Sequence, residues 1–261
     1  MRKSFLALLA AATVLLTSSC GGSFNALRAV QGGMYALQAL TLSDAQVQDY
    51  VHQYITALDA QSTVLPESNS YTKRLRTLTK GLTDVDGIPL KFKVYKESEV
   101  NAFACADGSV RVYTGIMDAM TDNELMGVIG HEIGHVALKH TRKQMQQAML
   151  TSAALEGLAS ASETMATLTD SQLGAIGEAI INSQFSKSQE SQADDYGYSF
   201  LVGTGRNPWA IVMSFEKLQQ LAGGAQAGPV ENLFSTHPDT ATRIQRMTEK
   251  CEHDGYKRPA K

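Results

Sequence analysis

His131-Glu132-Ile133-Gly134-His135 brings two imidazoles and a carboxylate together within five residues. On an α-helix, residues four apart lie one above the other on the same face, so His131 and His135 are placed to bind one metal ion. Glu132 stands about 100° round the helix from His131, where a carboxylate can take a proton from an attacking water without ligating the metal. The chemistry this spacing supports is zinc-assisted hydrolysis. Two imidazoles leave the ligand set incomplete. A continuation with Gly at 138 and His at 141 would complete it from the same segment, but the chain has Leu138 and Thr141. His140 falls about 140° round from His135 on a continuous helix, which points to a surface or supporting position. The remaining candidates are the downstream carboxylates Glu156, Glu163, Glu178 and Glu190. Glu190-Ser191-Gln192-Ala193-Asp194 stands out because Asp194 lies one helical turn from Glu190 on the same face, where it would accept the second ring N–H of a ligating histidine. Two carboxylates on an ordinary polar helix fit the same spacing, so spacing alone does not choose.

The element that must hold His131 and His135 is expected as a helix from Thr121 to about Thr141. Thr121 and Glu124 have the spacing of a capping box, and Asp122 adds negative charge to the first turn. Leu125, Val128, Ile129, Val136 and Ala137 put apolar positions on both sides of the histidine pair, as in a helix packed inside its domain. Gly127, Gly130 and Gly134 each cost about 1 kcal/mol of helix propensity relative to Ala, which calls for a close approach of another backbone or of substrate. Ahead of this helix, Ser43-Asp44 opens a polar helix to about Leu58, and a second is expected from Tyr71 to Leu82. Leu90 to Tyr95 alternates as a half-buried strand, and Asn101 to Cys105 and Val110 to Thr114 flank the hairpin signal Asp107-Gly108. The expected result is a small antiparallel sheet whose outer strand can pair with an extended substrate through main-chain hydrogen bonds. Behind the histidine helix, Gln144 to Ile181 is rich in Ala, Ser, Gly and Met and reads as two helices divided near Thr167 to Asp170, covering the cleft as a lid. A loop at Gly203 to Asn207, a helix from Pro208 to Leu221 and a closing helix after Pro238, with Ala241, Ile244 and Met247 facing inward, complete the chain.

Thr121-Asp122-Asn123-Glu124-Leu125, His131-Glu132-Ile133-Gly134-His135-Val136, Glu190-Ser191-Gln192-Ala193-Asp194 and Ser235-Thr236-His237-Pro238 with Arg243, in that order, resemble the family of CaaX prenyl endopeptidases and HtpX-type zinc metalloproteases, and within it the envelope lipoprotein branch. The resemblance runs from about Leu42 to Met247. It implies a mainly helical α+β domain of gluzincin type, with the small sheet packed on the zinc-binding helix. It further implies one Zn²⁺ held by His131, His135 and Glu190, with Glu132 as general base. Asp194 would support a ligand, His237 would stabilise the oxyanion, Arg243 would lie beside them, and Asn101-Ala102-Phe103-Ala104 would be the strand that receives substrate. The family often carries an acidic or aromatic residue where this chain has Ser191-Gln192, a departure that leaves the ligand in place.

Residues 1–19 read as an export leader: Arg2 and Lys3 open it, Phe5 to Leu16 is apolar, and Thr17-Ser18-Ser19 precede Cys20. The pattern resembles a lipoprotein cleavage box, with Cys20 the acylated N-terminus, residues 20–40 a tether, and 41–261 a single metallopeptidase domain. Thr17 stands where an aliphatic residue is usual. Gly21-Gly22 resemble the sequences of lipoproteins sorted to the outer membrane, facing the periplasm; a soluble periplasmic protein is the alternative. With 43% hydrophobic residues in 261, the chain can bury one sizeable core. Its net charge of −3 becomes −5 when Arg2 and Lys3 depart, which gives no surface for nucleic acid. Cys105 and Cys251 are an even pair for an oxidising compartment and are candidates for a disulfide.

The function these readings imply is cleavage of misfolded or unassembled envelope proteins at the membrane. A periplasmic chaperone or outer-membrane assembly factor with latent protease activity would use the same edge strand and groove, and outer-membrane assembly factors or other proteases are its candidate partners.

Overall fold

The computed structural model describes residues 41–155, 174, 177–178, 184–223, 233, 236–238 and 240–259. The expected leader, Cys20, the tether and most of the expected lid lie outside the described residues. Helices α1 (Asp44–Gln61) and α2 (Ser70–Leu78) come first, then the strand pair β1 (Asp84–Val85) and β2 (Ile88–Pro89). Strands β3 (Lys91–Tyr95), β4 (Ala102–Ala104) and β5 (Ser109–Tyr113) follow, then helices α3 (Thr114–Ala119) and α4 (Asp122–Ala137). Helices α5 (His140–Leu155), α6 (Lys187–Gly203), α7 (Trp209–Ala222) and α8 (Thr240–His253) complete the described elements. Among the described residues no helix is long and apolar enough to cross a membrane.

The histidine helix, α4, is buried on every side from Leu125 to Ala137, packed against α6, α7 and β4. Both halves of its expected capping box form: Thr121 Oγ1 accepts from Glu124 N, and Glu124 accepts from Thr121 N at 2.8 Å. The glycines answer the question their cost posed. A Cβ on Gly127 would meet Ala210 O of α7 at 2.3 Å, and one on Gly134 would meet Ala193 O of α6 at 2.8 Å. Gly130 is less confined: its Cβ would meet the Phe200 ring at 3.1 Å and Gly197 O only at 3.5 Å, an ordinary contact. At Gly127 and Gly134 backbone therefore packs on backbone, and α7 and α6 approach α4 more closely there than a residue with a Cβ would permit.

Three corrections follow from the tertiary arrangement. The histidine helix ends at Ala137 rather than near Thr141: Leu138 caps it, Lys139 turns left-handed at φ 55°, and α5 restarts at His140. Lys139 and Arg142 both reach Asp44 at the start of α1, which fixes that turn from outside the helix. The three-stranded sheet is mixed. The hairpin forms as expected, with β4 antiparallel to β5 (Ala102↔Val112), but β3 lies parallel to β5 on its other side (Lys91↔Ser109). The sheet order β3-β5-β4 leaves β4 as the edge nearest α4. On α8, beginning the helix at Thr240 sets an inward stripe of Arg243, Met247 and Cys251, so Ala241 faces solvent and a guanidinium enters the interior instead.

Cys105 and Cys251 are both buried free thiols in different apolar clusters, so the candidate disulfide is not formed. Cys251 belongs to the main core beneath α4, α7 and the sheet. Cys105 belongs to a second cluster, where α1 packs on Tyr95, Phe103 and Met145.

Candidate metal centre

The backbone contact between α4 and α6 sets His131 and His135 opposite Glu190 and Asp194. The Nε2 atoms of His131 and His135 are 3.0 Å apart. Glu190 Oε1 lies 3.3 Å from His135 Nε2, and Oε2 lies 3.6 Å from His131 Nε2. Zinc at tetrahedral corners, with Zn–N near 2.0–2.1 Å, sets neighbouring donors about 3.3–3.4 Å apart, and these separations straddle that value. His237, carried in ahead of α8, adds a fourth donor: its Nδ1 is 3.2 Å from His131 Nε2 and 3.0 Å from Glu190 Oε1. Donor atoms of His131, His135, Glu190 and His237 all lie within 4.8 Å of one another, an arrangement that can hold a metal ion. Charge agrees with geometry. Glu132, Glu190 and Asp194 are buried together against one fully buried guanidinium, Arg243, and a divalent cation would balance the excess.

The surroundings hold each donor in place. His131 turns Nδ1 to Asp194 Oδ1 at 2.9 Å, the supporting carboxylate expected of a ligand histidine. Arg243 clasps Asp194 through two hydrogen bonds, Nε to Oδ2 at 2.9 Å and Nη2 to Oδ1 at 2.7 Å, and reaches Glu190 Oε2 through Nη1 at 2.5 Å. Its guanidinium stacks on Phe215 of α7 at 4.2 Å. Burial alone would raise both carboxyls; His237, His135 and His131 outweigh it at Glu190, and His131 and Arg243 outweigh it at Asp194. Both groups are therefore held well below the usual carboxylate range. Burial pushes His135 well below the ordinary imidazole value, so its ring is neutral and offers a lone pair.

Glu132 points the other way, toward β4, where it accepts a hydrogen bond from the Ala104 backbone N–H. Burial raises its carboxyl above the ordinary value, against the pull of His237 and His131. His237 Nε2 is 3.5 Å from Glu132 Oε1, so the ring stands between the donor cluster and Glu132. Burial would lower His237, but Glu190 and Glu132 outweigh it and raise it. Beside Glu132 opens a cavity walled by Val128, Phe215, Leu218 and Leu233, with His131, His237 and Arg243 on its polar rim. Asn101, Ala102, Phe103 and Ala104 run along the sheet edge next to α4, with the Phe103 side chain turned into the cluster under α1.

Three residues join the site without having been assigned to it: His140, weighed as a surface or supporting residue, takes the supporting place, and Gln192 and Phe185 accompany it. His140 is buried, with Nδ1 3.0 Å from His135 Nδ1; the break at Lys139 brings it back to a histidine that a continuous helix would have carried it past. Gln192 meets His140 from α6. Phe185 lies over His135 with ring centroids 3.7 Å apart, and its N–H donates to Thr236 O, tying the start of α6 to the His237 segment. A lone aromatic in a polar stretch carries no spacing signal; the five-residue step from His135 to His140 was visible, but its meaning depended on the helix break.

Residues 69–250 match peptidase family M48. The chain is 43% identical to Metalloprotease LoiP of Escherichia coli (strain K12), over 98% of this chain and 99% of that protein. It is 37% identical to Metalloprotease YcaL of the same organism, over 96% and 98%. Identity to the Beta-barrel assembly-enhancing protease of Escherichia coli (strain K12) is 27%, over 87% of this chain and 44% of that protein. A metal-binding histidine pair and carboxylate on two tightly packed helices, within a sequence so matched, show that this chain belongs to peptidase family M48 and is a metalloprotease.

Proposed function

We propose that the protein is a zinc endopeptidase anchored to the outer membrane through acylated Cys20, where it cuts unfolded or misassembled envelope proteins on the periplasmic side. The observation that carries the catalytic part is the convergence of His131, His135 and Glu190 beside a buried Glu132 that borders both an edge strand and an apolar cavity. Zinc bound there would supply Lewis acidity, lowering the pKa of water toward about 7 and polarising the scissile carbonyl. An extended substrate pairs its main chain with the sheet edge from Asn101 to Ala104 and places one apolar side chain among Phe215, Leu218 and Leu233. Glu132, with its pKa raised, takes a proton from the attacking water and returns it to the leaving amine. His237, which stands between the donor cluster and Glu132, would donate to the developing oxyanion. Asp194 and Arg243 keep His131 and Glu190 in register throughout.

The envelope assignment is supported by the leader ending at Cys20 and by the name of one relative, a β-barrel assembly-enhancing protease. Zinc-loaded mature protein is expected to cut an unfolded model protein while Glu132→Gln binds zinc and does not. Cutting by both would remove Glu132 as base, and cutting by neither with zinc bound would favour a chaperone or assembly role. Cys20→Ala is expected to leave the membrane fraction; retention after a carbonate wash would refute the anchor.

A further inference from the structure

His131 and His135 face one donor cluster from opposite electrical surroundings. His131 turns Nδ1 to a carboxylate, Asp194, which Arg243 clasps in turn. His135 turns Nδ1 to a second imidazole, His140, at 3.0 Å. His140 Nε2 lies 3.2 Å from Gln192 Oε1, and Gln192 Nε2 lies 3.2 Å from Ser188 Oγ. The protons along this chain follow from its metal-facing end. His135 Nε2 faces His131 Nε2 and Glu190 Oε1, so Nε2 is the nitrogen offered to a metal, and with a metal there the ring carries its proton on Nδ1. That N–H donates to His140 Nδ1, which leaves the His140 proton on Nε2. His140 Nε2–H donates to the amide oxygen of Gln192, and the Gln192 amide group donates to Ser188. With a metal on His135 Nε2, each of these links has one assignment, and it needs no charge on His140.

We infer that His140 and Gln192 form an uncharged relay that fixes the tautomer and ring orientation of His135 and so sets how tightly this site holds its metal. The inference rests on reading His131, His135 and Glu190 as the zinc ligands. One feature of the fold supports it. The left-handed Lys139 and the restart of α5 return His140 to His135, a geometry that a continuous helix cannot supply. An acidic side chain at position 192 would set a charge on His140 and make His135 a stronger donor, whereas Gln192 accepts the same hydrogen bond without charge. His140 and Gln192 are positioning residues, acting on the metal only through His135.

The test uses the full mature chain in detergent, stripped of metal. Affinity is read by competition for Zn²⁺ against a metallochromic chelator, and the ligand field from visible absorption after loading with Co²⁺. Loss of a partner behind a ligating histidine costs on the order of 10- to 100-fold in affinity, and His140→Leu is expected in that range. Gln192 is exposed at the surface of α6, so its variants keep the fold and keep the inference testable if His140→Leu does not fold. Gln192→Leu is expected to weaken binding in the same direction. Gln192→Glu is expected to restore or exceed wild-type affinity and to shift the Co²⁺ bands. Affinity and bands unchanged in both Gln192 variants would overturn the relay, since a role in packing alone moves only the melting temperature. Wild type that binds no metal, or binding undiminished in His131→Ala, would overturn the ligand assignment itself, and the relay with it.

Discussion

The spacing of α4 and α6 is set by glycine, and substituting Gly134 tests what that spacing does. A Cβ at Gly134 would stand 2.8 Å from Ala193 O and 3.1 Å from Ala193 Cα, both backbone atoms. Ordinary contact begins near 3.4 Å, so α6 must retreat by about 0.6 Å. Ala193 lies between Glu190 and Asp194, so the retreat draws both carboxylates away from His135 and His131. Helix propensity favours Ala over Gly by about 1 kcal/mol, while overpacking of this kind costs about 1–3 kcal/mol; the net expectation for Gly134→Ala is a loss of up to about 2 kcal/mol. A displacement of 1 Å at a catalytic site can cost about 100-fold, so proteolysis should fall on the order of ten-fold or more. Gly130→Ala is the control: its nearest neighbour is the Phe200 ring at 3.1 Å, a side chain that can turn, with Gly197 O at 3.5 Å. It should cost little stability and little activity. Urea unfolding and cleavage of an unfolded protein measure the two effects. Gly134→Ala with the wild-type rate, or Gly130→Ala as the more damaging change, would refute the reasoning.

Arg243→Met leaves Asp194 and Glu190 buried without their guanidinium, and urea unfolding of the metal-free protein should show a loss of about 3–5 kcal/mol; Arg243→Lys should recover little of it, because one ammonium cannot reproduce the paired hydrogen bonds to Asp194. Away from the site, burial would raise the Asp59 carboxyl, but hydrogen bonds from Arg111, Lys93 and Tyr95 outweigh it and bring it from 3.8 to about 2. Folding therefore favours the ionised form, worth about 2 kcal/mol above pH 4 and lost as the pH falls through about 2, so the wild-type advantage over Asp59→Asn in denaturant melts should shrink across that acid range. Burial raises both thiols, Cys251 to about 12 and Cys105 further, so each should react with iodoacetamide only on unfolding, and a Cys105–Cys251 disulfide found by non-reducing mass mapping would contradict the fold.

Much of the site was legible because it is local. The i, i+4 step of His131 and His135, the Thr121–Glu124 capping box, the Glu190–Asp194 pair and the Asp107-Gly108 hairpin are relations within one or two turns of chain, where backbone geometry follows from the order of residues. The helix end was not legible. Val136 to Thr141 contains no glycine or proline to stop a helix, and Lys139 turns left-handed because Asp44, about 95 residues earlier, binds it and Arg142. The parallel pairing of β3 with β5 was hidden for the same reason, since an alternating strand does not record which neighbour it will take.

The sequence by itself determined which groups can do chemistry here: two imidazoles and a base on one helix face, a carboxylate pair on another, and glycines whose helix cost demanded a close neighbour. The family resemblance had already named Glu190, His237 and Arg243, but only the tertiary structure decided that their atoms close within hydrogen-bonding distance of the histidines and that His140 stands behind His135. The physical reason is that a metal site is closed by distances of about 3 Å between atoms far apart in the chain. Those distances depend on how closely two helix backbones can pack, a property of both helices together.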